Sequence, residues 1–252
     1  MKYIFRTVVK LLLLISLIST SHAGLTTIGS AGYDADNSGI VETDEHFNLI
    51  WDNDNNGRSV VWFDFSNPAA VWQDQVNWAA SLGSNLTVNL DAGYKSSTDW
   101  TSGWRLPATV DGTYLEGYNG STTAGWNITS SEMGHLFYLY LKNKGHRTAS
   151  GGYNQNQGGP DYFLQYTGDF ENLNPEHYWS GTVYGGSHLF AWNFNFELGR
   201  QEAYKKTDYA DVAMALYTAD ISQVPLPAAS LFLFSGVLAL LSIRFKTYRA
   251  VS

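Results

Sequence analysis

The chain has 252 residues, with 15 Lys and Arg against 23 Asp and Glu, a net charge of −8, and no cysteine. Disulfides, thiolate metal sites and cysteine nucleophiles are excluded, and the acidity disfavours nucleic acid and other polyanions as partners. Residues 1–23 and 224–252 each carry three bases and no acid, so the body between them sets nine bases against 23 acids, a balance of −14.

The first element is a signal peptide over residues 1–23. Lys2, Arg6 and Lys10 give a positive start, Leu11 to Ile18 an apolar core, and Ser21-His22-Ala23 a small-residue exit before Gly24. That core is too short to span a bilayer, which favours a cleaved leader over an anchor.

An Asp-rich segment, 24–45, follows. Its end, DADNSGIVETDE, matches the twelve-residue calcium loop at each ligand position. Asp34, Asp36, Ser38, Glu42 and Glu45 would supply side-chain oxygens, Ile40 its carbonyl, and Gly39 the sharp turn. The flanks are not those of an EF-hand: GLTTIGSAGY is not helical, and HFNLIW reads as a strand. The alternative is an Asp/Asn/Gly turn that satisfies only its own backbone.

A globular domain is expected over 46–220. NLIWDNDNNGRSVVWFDF reads as two strands about a turn at Asp52–Gly57. This turn opens like a second calcium loop but lacks the acid at the twelfth place. A helix comes next, with Asn67 as cap, Pro68 at its first position, Trp72, Val76, Ala79 and Leu82 on one face, and Gly83 at its end. In TSSEMGHLFYLYL, Thr129 and Glu132 form a capping box for a second helix, and Met133, Leu136, Phe137, Tyr140 and Leu141 make its apolar stripe. Gly145 would stop it.

Residues 146–160 read as an exposed, mobile loop. Strand-like text resumes in DYFLQY, HYWSGTVY, HLFAWNFNFELG and DVAMALYT. In Ala191–Phe196, Trp192, Phe194 and Phe196 would face one way and Asn193 and Asn195 the other, as in a half-buried strand. The order of elements gives an α+β fold.

Glu132 and His135 lie at i and i+3, where they could serve as an acid/base pair or two metal ligands, but Glu132 already has a capping role. His177, His188 and Glu176 have no zinc spacing, and Ser180 lacks the Gly-x-Ser-x-Gly elbow. No catalytic residue is assigned, and the chain reads as a non-enzyme. Exposed Trp and Tyr could stack on sugars, although most of these rings belong in a core.

SGWRLP (Ser102–Pro107), YWSGT (Tyr178–Thr182) and AWNFNFELG (Ala191–Gly199), closing on VAMAL, resemble the Lcl C-terminal domain family over about residues 46–217. The resemblance implies a C-type-lectin-like α+β domain, in which Trp104, Arg105, Leu106, Pro107, Trp179 and Trp192 are structural and Arg105 pairs with a carboxylate or backbone carbonyls. An oxidase with a related fold needs cysteines, and this chain has none.

Residues 221–252 resemble the PEP-CTERM sorting signal. Val224, Pro225, Pro227 and Ala228 lead an apolar run that ends at Arg244 and Lys246, with Leu226 in the place of the usual Glu. The resemblance implies an exosortase-type membrane protease as partner. From Ala228 to Ile243 a helix would reach about 24 Å against a hydrocarbon core of about 30 Å, and the basic cluster would hold the C-terminus in the cytoplasm. This favours transient inner-membrane association followed by release, over a plain anchor.

Together these readings describe an exported, exosortase-sorted protein of the cell surface or extracellular matrix. It would bind glycan or other matrix components, with calcium as its cofactor and no nucleic acid. The alternatives are a polysaccharide-active hydrolase using Glu132, and a purely structural matrix protein on a plain membrane anchor.

Overall fold

The structure, a computed structural model, describes residues 24–156, 159–160 and 162–224. The expected leader over residues 1–23, and the expected sorting signal beyond Val224, lie outside the described residues. Among those described, no helix is long and apolar enough to cross a membrane.

Three long strands open the domain: β1 (Leu25–Gly32), β2 (His46–Asn55) and β3 (Arg58–Ala70). Helix α1 (Trp72–Asn85) leads to β4 (Thr87–Leu90) and β5 (Tyr94–Ser96). Short strands β6 (Glu116–Gly117) and β7 (Ala124–Trp126) precede helix α2 (Glu132–His135), which widens into a π turn over Leu136–Tyr140. Then come β8 (Gln155–Asn156), β9 (Gly159–Pro160), β10 (His177–Val183), β11 (Phe190–Asn195), β12 (Arg200–Lys205), β13 (Asp211–Thr218) and β14 (Ile221–Gln223). The fold is a mixed α+β one, mostly sheet with short helices.

Ten strands form one sheet in the order β4-β1-β2-β3-β13-β10-β11-β12-β7-β6. The late strand β13 joins its two halves, pairing antiparallel with β3 and parallel with β10. Alternate side chains of the central strands feed separate cores on the two faces. On one face Val61, Phe63, Ala213, Ala215 and Trp179 pack with Trp72, Ala79 and Leu82 of α1. On the other, Val60, Trp62, Met214, Leu216 and Tyr178 pack with Met133, Leu136 and Phe137. A sheet covered on both faces reads as continuous apolar text rather than as alternation.

That cover corrects the expectation for Ala191–Phe196. Asn193 and Asn195 are buried like the aromatics between them. Asn193 Nδ2 donates to Asp211 Oδ2 at 2.9 Å, and Asn195 Nδ2 meets His177 Nε2 at 2.8 Å.

The helix ends also differ from the reading. β3 runs on through Asn67 and Pro68, so α1 starts at Trp72, with Val71 as a cap that offers no side-chain bond. Asn67 instead donates to Gln75 Oε1 at 2.6 Å. Gly83 lies inside α1, against the Thr101 carbonyl. Ser131, not Thr129, caps α2 by accepting from Gly134 N–H. The π turn ends before Gly145, at Lys142, whose φ is 57°. Over Tyr162–Tyr166 there is no strand, only a single bridge from Phe163 to Lys144. Residues 146–156 are pinned rather than loose: Arg147 bridges to Tyr153, and Thr148 N–H donates to the Gly152 carbonyl at 2.8 Å.

Candidate metal loop and aromatic surface

Asp34–Glu45 forms the tip of a hairpin. β1 and β2 stay paired to Gly32 and His46, and Tyr33 N–H donates to the Glu45 carbonyl at 3.1 Å. Asn37 and Gly39 adopt φ of 60° and 91°, which turns the chain back on itself. Carboxylate oxygens of Asp34, Asp36 and Glu45 then lie within 4.8 Å of one another. Ser38 ties in the rest. Its amide donates to Asp34 Oδ1 and Asp36 Oδ1, each at 2.9 Å, and its hydroxyl meets the Ile40 carbonyl and Glu42 Oε1, each at 3.1 Å.

The loop electrostatics follow from this crowding. Glu45 is buried and accepts from the amides of Ala35, Asp36 and Glu42 at 2.6, 3.2 and 3.1 Å. Burial works to raise its pKa, but the hydrogen bonds outweigh burial and hold the carboxyl below its ordinary range. Glu42 is pushed up, first by its contact with the Glu45 carboxyl and then by burial. All of the donors are oxygens, with no nitrogen or sulfur among them. The residues present therefore fit a hard divalent cation such as calcium, with Glu45 as the inner anchor of the loop.

The other sequence candidates have structural partners. Asp52–Gly57 is a hairpin turn, with Asn56 and Gly57 at φ of 51° and 80°. Glu132 faces away from His135: its oxygens take Arg105 Nη1 and Nη2 at 2.7 Å each and the Ala108 amide at 2.5 Å. His135 Nδ1 meets Asn56 Oδ1 at 3.1 Å. Ser180 is buried, its hydroxyl on the Pro107 carbonyl at 2.8 Å. His177 stacks on Tyr204 and His188 is exposed, and among the described residues neither joins Glu176 in a group that could hold a metal. Trp104, Leu106, Trp179 and Trp192 are buried, and the Trp192 indole N–H donates to Asp111 Oδ1 at 2.9 Å. Val224, the first residue of the expected sorting motif, donates its N–H to the Gly93 carbonyl at 2.8 Å.

One arrangement went unread in the sequence. Arg147 lies over Tyr153, its Cζ 3.7 Å from the ring centroid, with Trp126 and Tyr118 at 5.8 and 5.9 Å. Tyr118 stacks on Trp126 at 5.5 Å, and Arg200 sits 4.7 Å from the Trp126 ring. The Asn127 amide clamps this cluster, donating to the carbonyls of Tyr118 and Arg147 at 2.6 and 3.0 Å. Arg200 is neutralised by Glu116 and Glu202, at 3.0 and 3.1 Å. Arg147 donates to the Gly151 carbonyl and the Tyr153 hydroxyl, and has no carboxylate partner among the described residues. Burial and then the Arg147 charge push the His146 pKa down.

Tyr118 is 41% and Tyr153 53% exposed. Beneath them, the N–H groups of Trp126 Nε1, Arg147 Nε and Arg200 Nε are buried without a hydrogen-bond partner among the described residues. Exposed rings around an unpaired guanidinium can stack on the C–H face of a sugar while donating to its oxygens. The sequence signal is the density of rings in GYNGSTTAGW and GHRTASGGY, two segments that only the fold brings together.

No protein-family model matches the chain, and no curated protein or solved structure is significantly similar to it.

Proposed function

We propose that this chain is an exported, non-enzymatic protein of the cell surface or extracellular matrix that binds glycan. In this reading the domain is C-type-lectin-like, as its resemblance to the Lcl C-terminal family implies. The leader directs export, and an exosortase-type protease removes the tail. The supporting observation is the pair of exposed rings, Tyr118 and Tyr153, set about Arg147. Calcium in the Asp34–Glu45 loop stiffens the β1–β2 hairpin in this reading and takes no part in chemistry.

A glycan array probed with the purified protein tests the binding. Hits should be lost on Arg147→Ala and weakened about tenfold on Tyr153→Ala, the scale of one good stacking contact with its hydrogen bonds. An array without hits would reject the binding function.

A further inference from the structure

The start of β1 lies in an open groove. Gly24, the first described residue, lines it together with Asp54, Asp169 and the exposed Leu139. Strand register sets the neighbours. Leu25 pairs with Asp52 of β2, so Gly24 falls beside Asn53, and its nitrogen donates to Asn53 Oδ1 at 3.1 Å. Asp54 comes next along β2, with Oδ1 on the Gly57 amide at 3.0 Å. Asp169 reaches β1 from another segment: its Oδ2 takes the amide and hydroxyl of Thr27 at 2.9 and 3.0 Å.

The leader read over residues 1–23 ends at Ala23. Its removal turns the Gly24 nitrogen from a neutral peptide amide with one N–H into an α-amino group, which carries three N–H donors and a positive charge below about pH 8.

We propose that this groove is the seat of the mature amino terminus, where the Gly24 ammonium donates to Asn53 Oδ1 and is held by the carboxylates of Asp54 and Asp169, so that leader removal stabilises the folded domain. The proposal rests on the export reading above for where the chain begins. The occupant is fixed by covalent structure, since the β1–β2 register delivers that nitrogen to Asn53. The charges then balance, with two aspartates against Lys142 and the new ammonium. His135, Tyr140 and Tyr166 are the other titratable side chains of the lining among the described residues. Asp52, across from Leu25, is buried and tied to Asn55 at 2.8 Å. Two acids outweigh one lysine, so the amine holds its proton more tightly in the folded chain than in the unfolded one. The added stability is present below about pH 8, the unfolded value, and is lost as pH rises through the higher folded value.

The test uses a chain made to start at Gly24 by proteolytic release of an N-terminal fusion, with the rest of the sequence kept. NMR follows the Gly24 α-protons from about pH 6 to about pH 10. The amine should titrate at about pH 8.5 rather than about 8, a difference of about threefold in the folding equilibrium constant. The rise should shrink in about 1 M salt. An N-acetylated chain keeps one donor for Asn53 and the same His135, Lys142 and tyrosines, so it should lack only this part of the pH dependence in urea unfolding. Asp54→Asn keeps an acceptor for the Gly57 amide, and Asp169→Asn keeps one for Thr27. Each should bring the amine part of the way back. An amine at its ordinary value in the folded parent, or a rise indifferent to salt and to both substitutions, would overturn the proposal. Failure of the export reading is seen separately: protein from culture would keep residues before Gly24, whatever the amine of the chain made to start there does.

Discussion

Arg105 and Glu132 are 27 residues apart and form the best-defined ion pair among the described residues, a two-pronged contact with one partner nearly buried. Glu132 also accepts from the Ala108 amide and so joins α2 to the segment that leads into the Leu216 bridge. Glu132→Gln keeps an acceptor for Ala108 but strands the guanidinium. It should cost about 2 kcal/mol in urea unfolding, less than a fully buried pair would because Arg105 is one-third exposed. A neutral result would mean that Glu132 is not held for stability. Asp211 predicts the opposite sign. Burial, with the charges of Glu202 and Glu176 behind it, outweighs the Asn193 hydrogen bond and pushes its pKa up to about 6 from 3.8. Between those values the folded state holds more protons than the unfolded state, so stability falls as pH rises from about 4 to about 6. Asp211→Asn should flatten that slope and raise stability at neutral pH by about 2 kcal/mol. Titration of the urea midpoint across this range decides it, and an unchanged slope would mean that Asp211 ionises normally. Neither partnership was readable in advance. The capping-box pattern sends Glu132 back toward Thr129, but a guanidinium arriving from another loop outbids one exposed amide. Asn193 reads as solvent-facing because the sequence cannot reveal that α1 covers that face of the sheet.

Gly83 illustrates how context reverses a local preference. As a helix terminator it would tolerate little change, and as an interior helix residue it would gain about 0.5–1 kcal/mol from replacement by alanine. Here it lies inside α1, and a Cβ would stand 2.1 Å from the Thr101 carbonyl oxygen. Gly83→Ala should therefore destabilise the domain by about 2 kcal/mol, as overpacking against backbone does. A higher thermal midpoint in calorimetry would show that the 100–104 segment moves aside freely. Tertiary pairing likewise sets where α1 starts. Asn67-Pro68 has the chemistry of a helix start, yet β3 keeps pairing with β13 through Ala70, and ladder bonds outweigh a cap worth about 1 kcal/mol. Periodicity did locate α1, because Trp72, Ala79 and Leu82 share one buried face. It also located the hairpin, where Asn56-Gly57 supplies two left-handed residues in a row. The π turn carries no such mark: its apolar stripe reads as ordinary helix, and Leu136 and Phe137 enter the core as that stripe predicts. The Arg147 surface has no mark in the sequence for a related reason, since its rings come from segments that the fold brings together and Asn127 ties.

At the scale of the whole molecule, charge and the proposed export bear on the same question. A body of balance −14 repels itself, and in the loop at the β1–β2 tip that repulsion is concentrated on Asp34, Asp36, Glu42 and Glu45. A bound divalent cation would relieve it and, by binding only the folded form, add about 2.7 kcal/mol of stability at a hundredfold excess over its dissociation constant. For a domain of this size that is a rise of about 5–10 °C in the melting temperature. Asp34→Asn keeps an acceptor for only one of the Ser38 and Gly39 amides, so the apo protein should melt slightly below the parent, by about 1 kcal/mol of stability, while the calcium shift shrinks. Magnesium should give a smaller rise, because its stricter octahedral geometry suits this flexible all-oxygen loop less well. Scanning calorimetry with calcium, magnesium and chelator separates these outcomes. If calcium leaves the parent unchanged, the Asp34–Glu45 segment is a self-satisfied turn, its carboxylates held by the loop amides alone. The proposed export makes the question concrete, since a protein released beyond the inner membrane would meet calcium at concentrations that the weaker extracellular class of such loops can use, about 10⁻⁴–10⁻³ M. Intact mass of the protein recovered from culture supplies the matching fact: a chain starting at Gly24 and ending near Pro227 would place the loop where calcium is available, and one still carrying Ser252 would keep it at the inner membrane.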